Sequence, residues 1–291
     1  MSAPTISFEF FPPQSLEASF RLWDTVQALA PLKPKFSSVT YGAGGTTRKL
    51  THDAVTTIHK NYGLNVAAHL TCVNASRDET LEIANAYAEV GVTEIVALRG
   101  DPPKGQGSFT PHPDGFANSA ELVAALAETG KFTLHVGAYP EPHPDAKAAG
   151  DDVAWLKRKV DAGANSAITQ FFFEADTFFR FRDACVAAGI DVPILPGILP
   201  IEKWKGARNF ALRCGTQVPA WLDAAYEKAI AEGREAALGQ ELAIKLCDDL
   251  LRGGVDHLHF YTLNKPHLTM AVCDSLGITS DVASENTPEL A

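Results

Sequence analysis

Short apolar segments rich in β-branched and aromatic residues recur along the chain, and nearly every one is followed by a stretch whose apolar residues have helical spacing. This pattern predicts eight strands, at Ile6–Phe11, Phe36–Tyr41, Val66–Cys72, Glu94–Arg99, Phe132–Tyr139, Ala167–Phe173, Ile194–Leu199 and Leu258–Leu263. The predicted helices are Leu16–Ala30, Thr47–Asn61, Arg77–Val90, Ser119–Thr129, Asp152–Ala162, Ala175–Ala188 and Lys265–Leu276, with two or three more between Glu202 and Leu251.

The alternation of strands and helices predicts an α/β fold, because consecutive strands joined through a helix pair in parallel. Eight such units fit a closed (β/α)8 barrel, the TIM barrel. The number of units and the lack of a linker favour a single barrel domain over residues 1–279, with a flexible tail at 280–291. A doubly wound open sheet is the alternative.

The composition is that of a soluble globular protein, since 46% of the 291 residues are hydrophobic and 21% are charged. The formal charge of −10 argues against a nucleic-acid partner, because such partners require a broad basic patch. No segment has the pattern of a signal peptide, and no apolar run approaches the roughly 20 residues of a membrane span. We expect a cytoplasmic protein with no membrane partner.

Residues that commonly bind metals are scattered along the chain. The five cysteines are widely spaced and form no Cys-x-x-Cys pair, so neither a disulfide framework nor a zinc site is indicated. His69, His135 and His143 lie on or just after predicted strands, but they lack the i, i+4 spacing of a helical zinc pair. We therefore expect no bound metal.

Glu9 lies near the carboxyl end of the first predicted strand, the end that carries the active site of a barrel. Strand alternation directs Phe8 and Phe10 toward the helices and Ser7 and Glu9 into the barrel. A carboxyl group among apolar neighbours favours its protonated form unless it is paired, and this suits a general acid. The alternative is a structural glutamate held by an arginine or a lysine.

A second carboxylate, Asp101, follows the fourth predicted strand. Glu9 and Asp101 are three strands apart around the ring, so both can face one central pocket. The alternative is an ion pair between Asp101 and Arg99 within the loop.

Two further segments are weaker indications of a ligand site. The Gly-rich turn at 42–48 opens a predicted helix, where free N–H groups favour phosphate, but it matches neither the dinucleotide fingerprint nor the P-loop. Gln170 stands beside three phenylalanines at 171–173. Core packing is the simpler interpretation of these rings, although any that faces inward could stack on a planar ligand.

Nine segments in order along the chain carry a resemblance to a known family. They are Phe8–Pro13, Val39–Ala43, Ala68–Cys72, Leu98–Asp101, Ala138–Glu141, Lys157–Ala164, Ile168–Phe173, Pro196–Pro200 and His259–Asn264. Any one could arise by chance, whereas nine in order are specific. The chain resembles the 5,10-methylenetetrahydrofolate reductases, flavoproteins that make 5-methyltetrahydrofolate and so supply methyl groups for methionine synthesis.

The resemblance implies a (β/α)8 barrel that binds FAD non-covalently, takes NADH or NADPH as co-substrate, with NADH the default for chains of this short type, and forms a homo-oligomer. It implies that Glu9 is the general acid and that Asp101 lies beside the flavin pyrimidine edge. The residues implied to bind FAD are Tyr41, Ala43, His69, Arg99, Gly100, Asp101, Ala117, Tyr139, His143, Ala146, Asp152 and Lys159. Those implied to contact folate or NADH are Thr40, Gln170, Phe210, Tyr261 and Lys265.

Three positions depart from the family pattern. Lys265 stands where an arginine is expected to reach the glutamate tail of folate, and a lysine offers a point charge in place of a bidentate fork. Trp155 replaces a polar residue near the cofactor, and Gly206 replaces a longer polar side chain that would help to hold folate. We expect these changes to alter binding of the substrate tail and to leave the reacting groups in place.

The resemblance implies a ping-pong reaction in which NADH reduces the flavin and leaves before methylenetetrahydrofolate binds in the same place. Glu9 then protonates N10 of the folate and opens its five-membered ring, and Asp101 stabilises the cation that accepts hydride. Two other functions stand against this one. They are a metal-dependent barrel lyase that uses His69, Glu9 and Asp101, and a non-catalytic folate-binding protein.

Overall fold

The computed structural model describes residues 3–41, 48–102 and 109–279. Within these ranges, nine parallel strands form one sheet in the order β7-β6-β5-β4-β3-β2-β1-β9-β8. The strands are β1 (Thr5–Phe10), β2 (Phe36–Val39), β3 (Val66–Thr71), β4 (Glu94–Leu98), β5 (Thr133–Ala138), β6 (Ser166–Thr169), β7 (Ile194–Leu195), β8 (Gly197–Ile198) and β9 (His257–Tyr261). The sheet curls into a nearly closed barrel in a single domain, so the predicted TIM barrel is confirmed over the open sheet.

The prediction of one continuous seventh strand at 194–199 is wrong, because the segment forms two short strands separated by Pro196. Proline has no N–H to donate to a neighbouring strand. The first half of the segment, β7, pairs with β6, whereas the second half, β8, pairs with β9. One short run therefore joins the two ends of the sheet and closes the barrel.

Gly197 makes this closure possible. A Cβ atom at this position would lie 2.3 Å from the carbonyl oxygen of Thr169 and 2.5 Å from Cε2 of Tyr261. Only glycine allows the backbone to approach β6 and the Tyr261 ring so closely.

The helices are α1 (Leu16–Leu29), α2 (Arg48–Tyr62), α3 (Arg77–Glu89), α4 (Ser119–Glu128), α5 (Asp151–Asp161), α6 (Ala175–Ala187), α7 (Trp204–Cys214), α8 (Ala220–Ala231), α9 (Glu235–Arg252) and α10 (Pro266–Ser275). A single 3-10 turn, Ala30–Leu32, follows α1. The long connection before the last strand contains three helices, α7, α8 and α9, where the sequence predicted two or three. None of the helices in the described ranges is long and apolar enough to cross a membrane.

The main apolar core lies mostly between the outer face of β1, β2, β3 and β9 and the helices α1, α2, α9 and α10. Phe8, Phe10 and Phe260 are buried there, as strand alternation predicts, with the rings of Phe8 and Phe260 6.3 Å apart. A second core packs β3 to β6 against α3 to α6. Both cores lie on the outer side of the strands, between the barrel and its helices.

Candidate active site

A cleft of about 660 Å³ opens at the carboxyl ends of the strands. Apolar barrel residues such as Leu98, Ile168 and Phe171 form part of its wall. The predicted site residues that line it are Glu9, Thr40, Tyr41, His69, Asp101, Tyr139, Gln170, Phe210 and Tyr261. The fold thus gathers side chains on or just after seven of the strands, and from α7, around one space large enough for a small-molecule ligand.

Glu9 stands on the inner wall of the barrel, next to Tyr261 in the register of β1 and β9. Its Oε2 atom lies 3.3 Å from Nε2 of His69 and 4.0 Å from Nε2 of His259. Both ring nitrogens are buried without a hydrogen-bond partner, so Glu9 is the acidic group that they face. No arginine or lysine in the described ranges pairs with Glu9, whose side chain keeps 15% of its surface open toward the cleft.

Tyr261 and Gln170 occupy the wall on either side of the barrel closure. The Tyr261 hydroxyl donates to the carbonyl of Thr169 at 2.6 Å, and Gln170 follows β6, which ends earlier than predicted. Burial, together with the nearby Glu9, raises the pKa of Tyr261 well above its usual value. The phenol is therefore neutral at physiological pH and acts as a hydrogen-bond donor.

Phe210 brings an aromatic face to the cleft from α7. Its ring stacks on Phe171 with centroids 5.3 Å apart and planes at 23°. Phe171 itself is buried and meets the Tyr261 ring at an angle of 76°. The three rings form an aromatic wall against which a planar ligand can stack.

Gly100 separates two oppositely charged residues at the end of β4. Its φ of +85° and the 2.6 Å that would separate an added Cβ from Val73 Cγ2 restrict this position to glycine. Asp101 faces the cleft, whereas Arg99 turns away and bonds Asp145 at 2.8 Å. The alternative of an Arg99–Asp101 ion pair is therefore wrong. The hydrogen bond from Arg99 lowers the pKa of Asp145 below its usual value.

The loop after β5 carries a second group of predicted residues beside Tyr139. The His143 ring meets the Tyr139 ring edge-on at 4.6 Å, and burial lowers the pKa of His143. The backbone N–H of His143 donates to Asp152 at 3.2 Å, and that of Ala146 donates to the His143 carbonyl at 2.8 Å. This group extends the site from the cleft toward α5.

Lys159 is a buried cation on α5, with 8% of its surface exposed. Its ammonium group donates to the carbonyl of Gly137, and within the described ranges no carboxylate lies at ion-pair distance. Burial lowers the pKa of Lys159 to about 8, partly offset by Asp152. A buried ammonium group with unused donors is costly by itself, so this position is suited to an anionic ligand.

Two of the predicted residues stand apart from these groups, and a third lies outside the described residues. Lys265 bonds Glu202 at 2.6 Å and lines an adjoining cavity of about 370 Å³, which shares Phe210 with the cleft. The N–H of Ala117 donates to Glu121 at 3.3 Å, at the start of α4. Ala43, like the rest of the Gly-rich turn at 42–47, lies outside the described residues.

The two other positions that depart from the family pattern differ in their surroundings. Gly206 on α7 lines the adjoining cavity, with nothing within 4 Å of an added Cβ. Trp155 on α5 is 43% exposed and stacks under the Arg158 guanidinium. Only the first change therefore opens space beside the cleft.

No group of three or more His, Cys, Asp or Glu side chains within the described ranges is arranged to hold a metal ion. The cysteines are free thiols, and all are buried except the half-buried Cys214, which lines the cleft.

Asn264 is a residue of the site that the sequence did not indicate. Its side chain accepts from the backbone N–H of Phe11 and donates to the Phe11 carbonyl, both at 2.9 Å. It thereby ties the loop after β1 to the loop after β9. The available signal was an asparagine directly after a strand, since Asn264 has a φ of +53°, a conformation that asparagine tolerates well.

Comparison with known proteins places these features in a family. The family model of methylenetetrahydrofolate reductase matches residues 1–277. A 5,10-methylenetetrahydrofolate reductase of Pectobacterium carotovorum is 47% identical over 279 residues, covering 96% of this chain and 92% of the relative. The Escherichia coli enzyme of the same name is 46% identical, covering 94% and 90%.

More distant proteins share part of this likeness. A probable methylenetetrahydrofolate reductase (NADH) of Oryza sativa is 36% identical over 94% of this chain and 48% of its own length. A solved structure of an uncharacterised Clostridium thermocellum protein that binds two copies of 5-methyl-5,6,7,8-tetrahydrofolic acid superposes with a TM-score of 0.59. It is 13% identical and covers 95% of this chain and 96% of its own, which shows a common fold.

The family model spans nearly the whole chain and the bacterial relatives are close to half identical over nearly their full length, so the chain belongs to the methylenetetrahydrofolate reductase family.

Proposed function

We propose that this chain reduces 5,10-methylenetetrahydrofolate to 5-methyltetrahydrofolate in the cleft at the carboxyl ends of the strands, with FAD bound non-covalently and NADH as the hydride donor. The observation that carries the proposal is the position of Glu9, a carboxyl group on the inner wall with its one open side toward the cleft. The rice relative, a probable methylenetetrahydrofolate reductase (NADH), supports NADH as the donor.

The residues beside the cleft fit FAD. Lys159 is a buried cation with no carboxylate at ion-pair distance in the described ranges, and Arg99 adds a second positive charge at the end of β4. The positive charges of Lys159 and Arg99 suit a diphosphate. The rings of Tyr139 and His143, which meet edge-on, offer surfaces beside the cleft for the rest of the cofactor. We propose that these residues, with Tyr41, His69, Gly100, Asp101, Ala146 and Asp152, hold the cofactor. Bound FAD would supply a ring that accepts and then gives up a hydride.

Glu9 would provide the proton that the folate needs. Protonation of N10 breaks the bond from N10 to the bridging carbon and leaves a cation, which the negative charge of Asp101 stabilises across the cleft. Hydride addition at that carbon then forms the methyl group. The rings of Phe171, Phe210 and Tyr261 would hold the flat pterin and exclude water from the reacting atoms.

The decisive experiment is a spectrum of the purified full-length chain. We expect the visible absorbance of an oxidised flavin, its loss on adding NADH without oxygen, and its return when methylenetetrahydrofolate is added. A colourless protein with activity that EDTA abolishes would overturn the proposal in favour of a metal-dependent lyase. Folate binding without NADH oxidation would overturn it in favour of a binding protein.

The charge on Lys159 predicts how FAD affinity depends on pH. The cationic form of Lys159 binds a diphosphate, and the pKa of this group without an anion is about 8. Affinity is therefore expected to be constant well below pH 8 and to fall above it, because proton uptake must then accompany binding. Titration of the apoprotein with FAD, followed by flavin fluorescence at several pH values, measures this.

The matched control for Lys159 is a second lysine on the same helix. Lys157 pairs with Asp161 on the surface of α5. We expect Lys159→Met to lose affinity for FAD and its pH dependence near 8, whereas Lys157→Met keeps both. Equal affinity in the two variants would remove Lys159 from the cofactor site.

A further inference from the structure

A ladder of polar side chains runs through the barrel interior below Glu9. Strand alternation directs Thr5, Ser7 and Glu9 of β1 to the same inner face. The register of β1 and β9 places His257 beside Thr5 and His259 beside Ser7. Two adjacent strands thus line the depth of the barrel with hydroxyl and imidazole groups, where barrels usually pack branched apolar residues.

The ladder is connected by short hydrogen bonds. Oγ1 of Thr5 lies 2.7 Å from Nδ1 of His257, and Nε2 of the same ring lies 2.8 Å from Oγ of Ser7. The Ser7 hydroxyl lies 2.7 Å from Nδ1 of His259. The remaining nitrogen, Nε2 of His259, faces the Glu9 carboxyl group at 4.0 Å and has no hydrogen-bond partner of its own.

The two ends of the ladder differ in their access to solvent. Thr5 is exposed at the amino-terminal end of the barrel, whereas His257, Ser7 and His259 are 4%, 0% and 0% exposed. Glu9 is at the opposite end and opens into the cleft. The ladder therefore joins solvent on one side of the barrel to the proposed acid on the other.

Both imidazoles of the ladder are held neutral. Burial lowers the pKa of His257 to about 4 and that of His259 well below its usual value. The charged or titratable groups that act on His257 are Lys35, Asp256 and His135. Those that act on His259 are His257, His69 and His135, and the Glu9 carboxyl group lies 4.0 Å from its Nε2. A neutral imidazole has one nitrogen that accepts a proton and one that donates, so each ring can pass a proton from one neighbour to the next.

We propose that Thr5, His257, Ser7 and His259 form a path that returns a proton to Glu9 from solvent at the amino-terminal end of the barrel. The path rests on the proposed function, in which each turnover transfers one proton from Glu9 to the folate and leaves a carboxylate. While a ligand fills the cleft, that carboxylate has no direct contact with bulk water on the open side.

Every transfer along the path forms one bond to hydrogen and breaks one. Nδ1 of His257 accepts a proton from solvent through the Thr5 hydroxyl, and Nε2 of the same ring releases its proton to Ser7. The Ser7 hydroxyl passes its own proton to Nδ1 of His259, and Nε2 of His259 releases one to Glu9. After one transfer each imidazole carries its proton on the other nitrogen. Between turnovers, a flip of each ring and rotation of the hydroxyl groups restore the starting arrangement.

The test is His257→Phe, a change that keeps an aromatic ring against Phe36 and removes both nitrogens. The neighbours keep other partners, because Thr5 also donates to the Asp256 carbonyl at 3.2 Å and Ser7 still bonds His259. We expect unchanged flavin reduction by NADH and an unchanged first turnover in stopped flow, since the path is needed only after Glu9 has given up its first proton. Later turnovers are expected to be about tenfold slower in kcat with KM unchanged, less than the ~10²- to 10⁴-fold effect of losing the acid itself.

A second variant tests the middle of the path. Ser7→Ala should also leave the first turnover unchanged and slow the later ones. Ser7→Thr keeps a hydroxyl group, so its later turnovers should be as fast as those of the parent chain. The matched control is His135→Phe, because His135 stacks on Phe36 at 4.6 Å but bonds Ser166 and Glu94, outside the ladder. This variant should behave as the parent chain in every phase.

The outcomes separate the path from the function on which it rests. Wild-type kcat in both His257→Phe and Ser7→Ala would overturn the path, and so would an equal slowing of flavin reduction and folate reduction, which indicates a structural role. Neither result would affect the proposed acid, since Glu9→Gln tests that by itself.

Discussion

Glu9→Gln is expected to abolish reduction of methylenetetrahydrofolate while leaving flavin reduction by NADH nearly intact. The amide keeps the shape of the side chain beside His69 and His259 but has no acidic proton to give to N10. A positioned general acid contributes about 10²- to 10⁴-fold, so the folate half-reaction should fall by at least that lower factor. Stopped-flow measurement of the two half-reactions, each followed by flavin absorbance, checks the expectation.

A suitable control carboxyl group is Glu141, which follows β5 and accepts from the N–H of Gln217 at 3.1 Å without lining the cleft. Glu141→Gln should leave both half-reactions unchanged. If Glu9→Gln slowed the two half-reactions equally, Glu9 would serve cofactor binding or the fold and not proton transfer. Retention of folate reduction in Glu9→Gln would contradict the proposed mechanism directly.

Phe260→Ala is expected to have the largest effect on stability. The Phe260 ring is fully buried in the main core, on the outer face of the strand whose inner face carries His259 and Tyr261. Removing a buried phenylalanine ring leaves a cavity and costs about 3 to 5 kcal/mol, which is a large part of the stability of an ordinary domain. The midpoint of urea unfolding measures the loss.

The control is Phe20→Ala on α1, where the ring is 61% exposed. The free energy of unfolding of the Phe20→Ala variant should differ from that of the parent chain by no more than about 0.5 kcal/mol, as is usual for surface positions. A small effect of Phe260→Ala, similar to that of Phe20→Ala, would show that the core between the barrel and α9 and α10 is not needed to hold β9 in place.

The sequence was sufficient wherever the determining pattern is local. Period-2 alternation along Ile6–Phe11 correctly placed Phe8 and Phe10 in the outer core and Ser7 and Glu9 inside the barrel. The strand-then-helix order predicted the parallel barrel, because right-handed βα units have few other ways to pack. The end of β6 before Gln170 and the break at Pro196 were missed. Pairing with the neighbouring strands decides where β6 stops, and the missing N–H of Pro196 lies where pairing passes from β6 to β9.

The partners of the charged groups were beyond the reach of the sequence. Arg99 has Asp101 two positions away, yet it bonds Asp145, which the loop after β5 brings to 2.8 Å. Lys159 is an ordinary last-turn lysine by its sequence, and only the packing of α5 against β5 buries it and lowers its pKa to about 8. Burial and distance are properties of the assembled barrel, so the electrostatics of the site follow the fold.

The sequence by itself determined the alternation of strands and helices, the inward direction of Glu9 and, through nine ordered segments, the family. Only the tertiary structure decided which groups stand beside Glu9. Ser7 and His259 are 252 positions apart, and they are neighbours because the barrel closes and pairs the first strand with the last in one register. That register is set by the packing of the whole ring, which no local stretch of sequence contains.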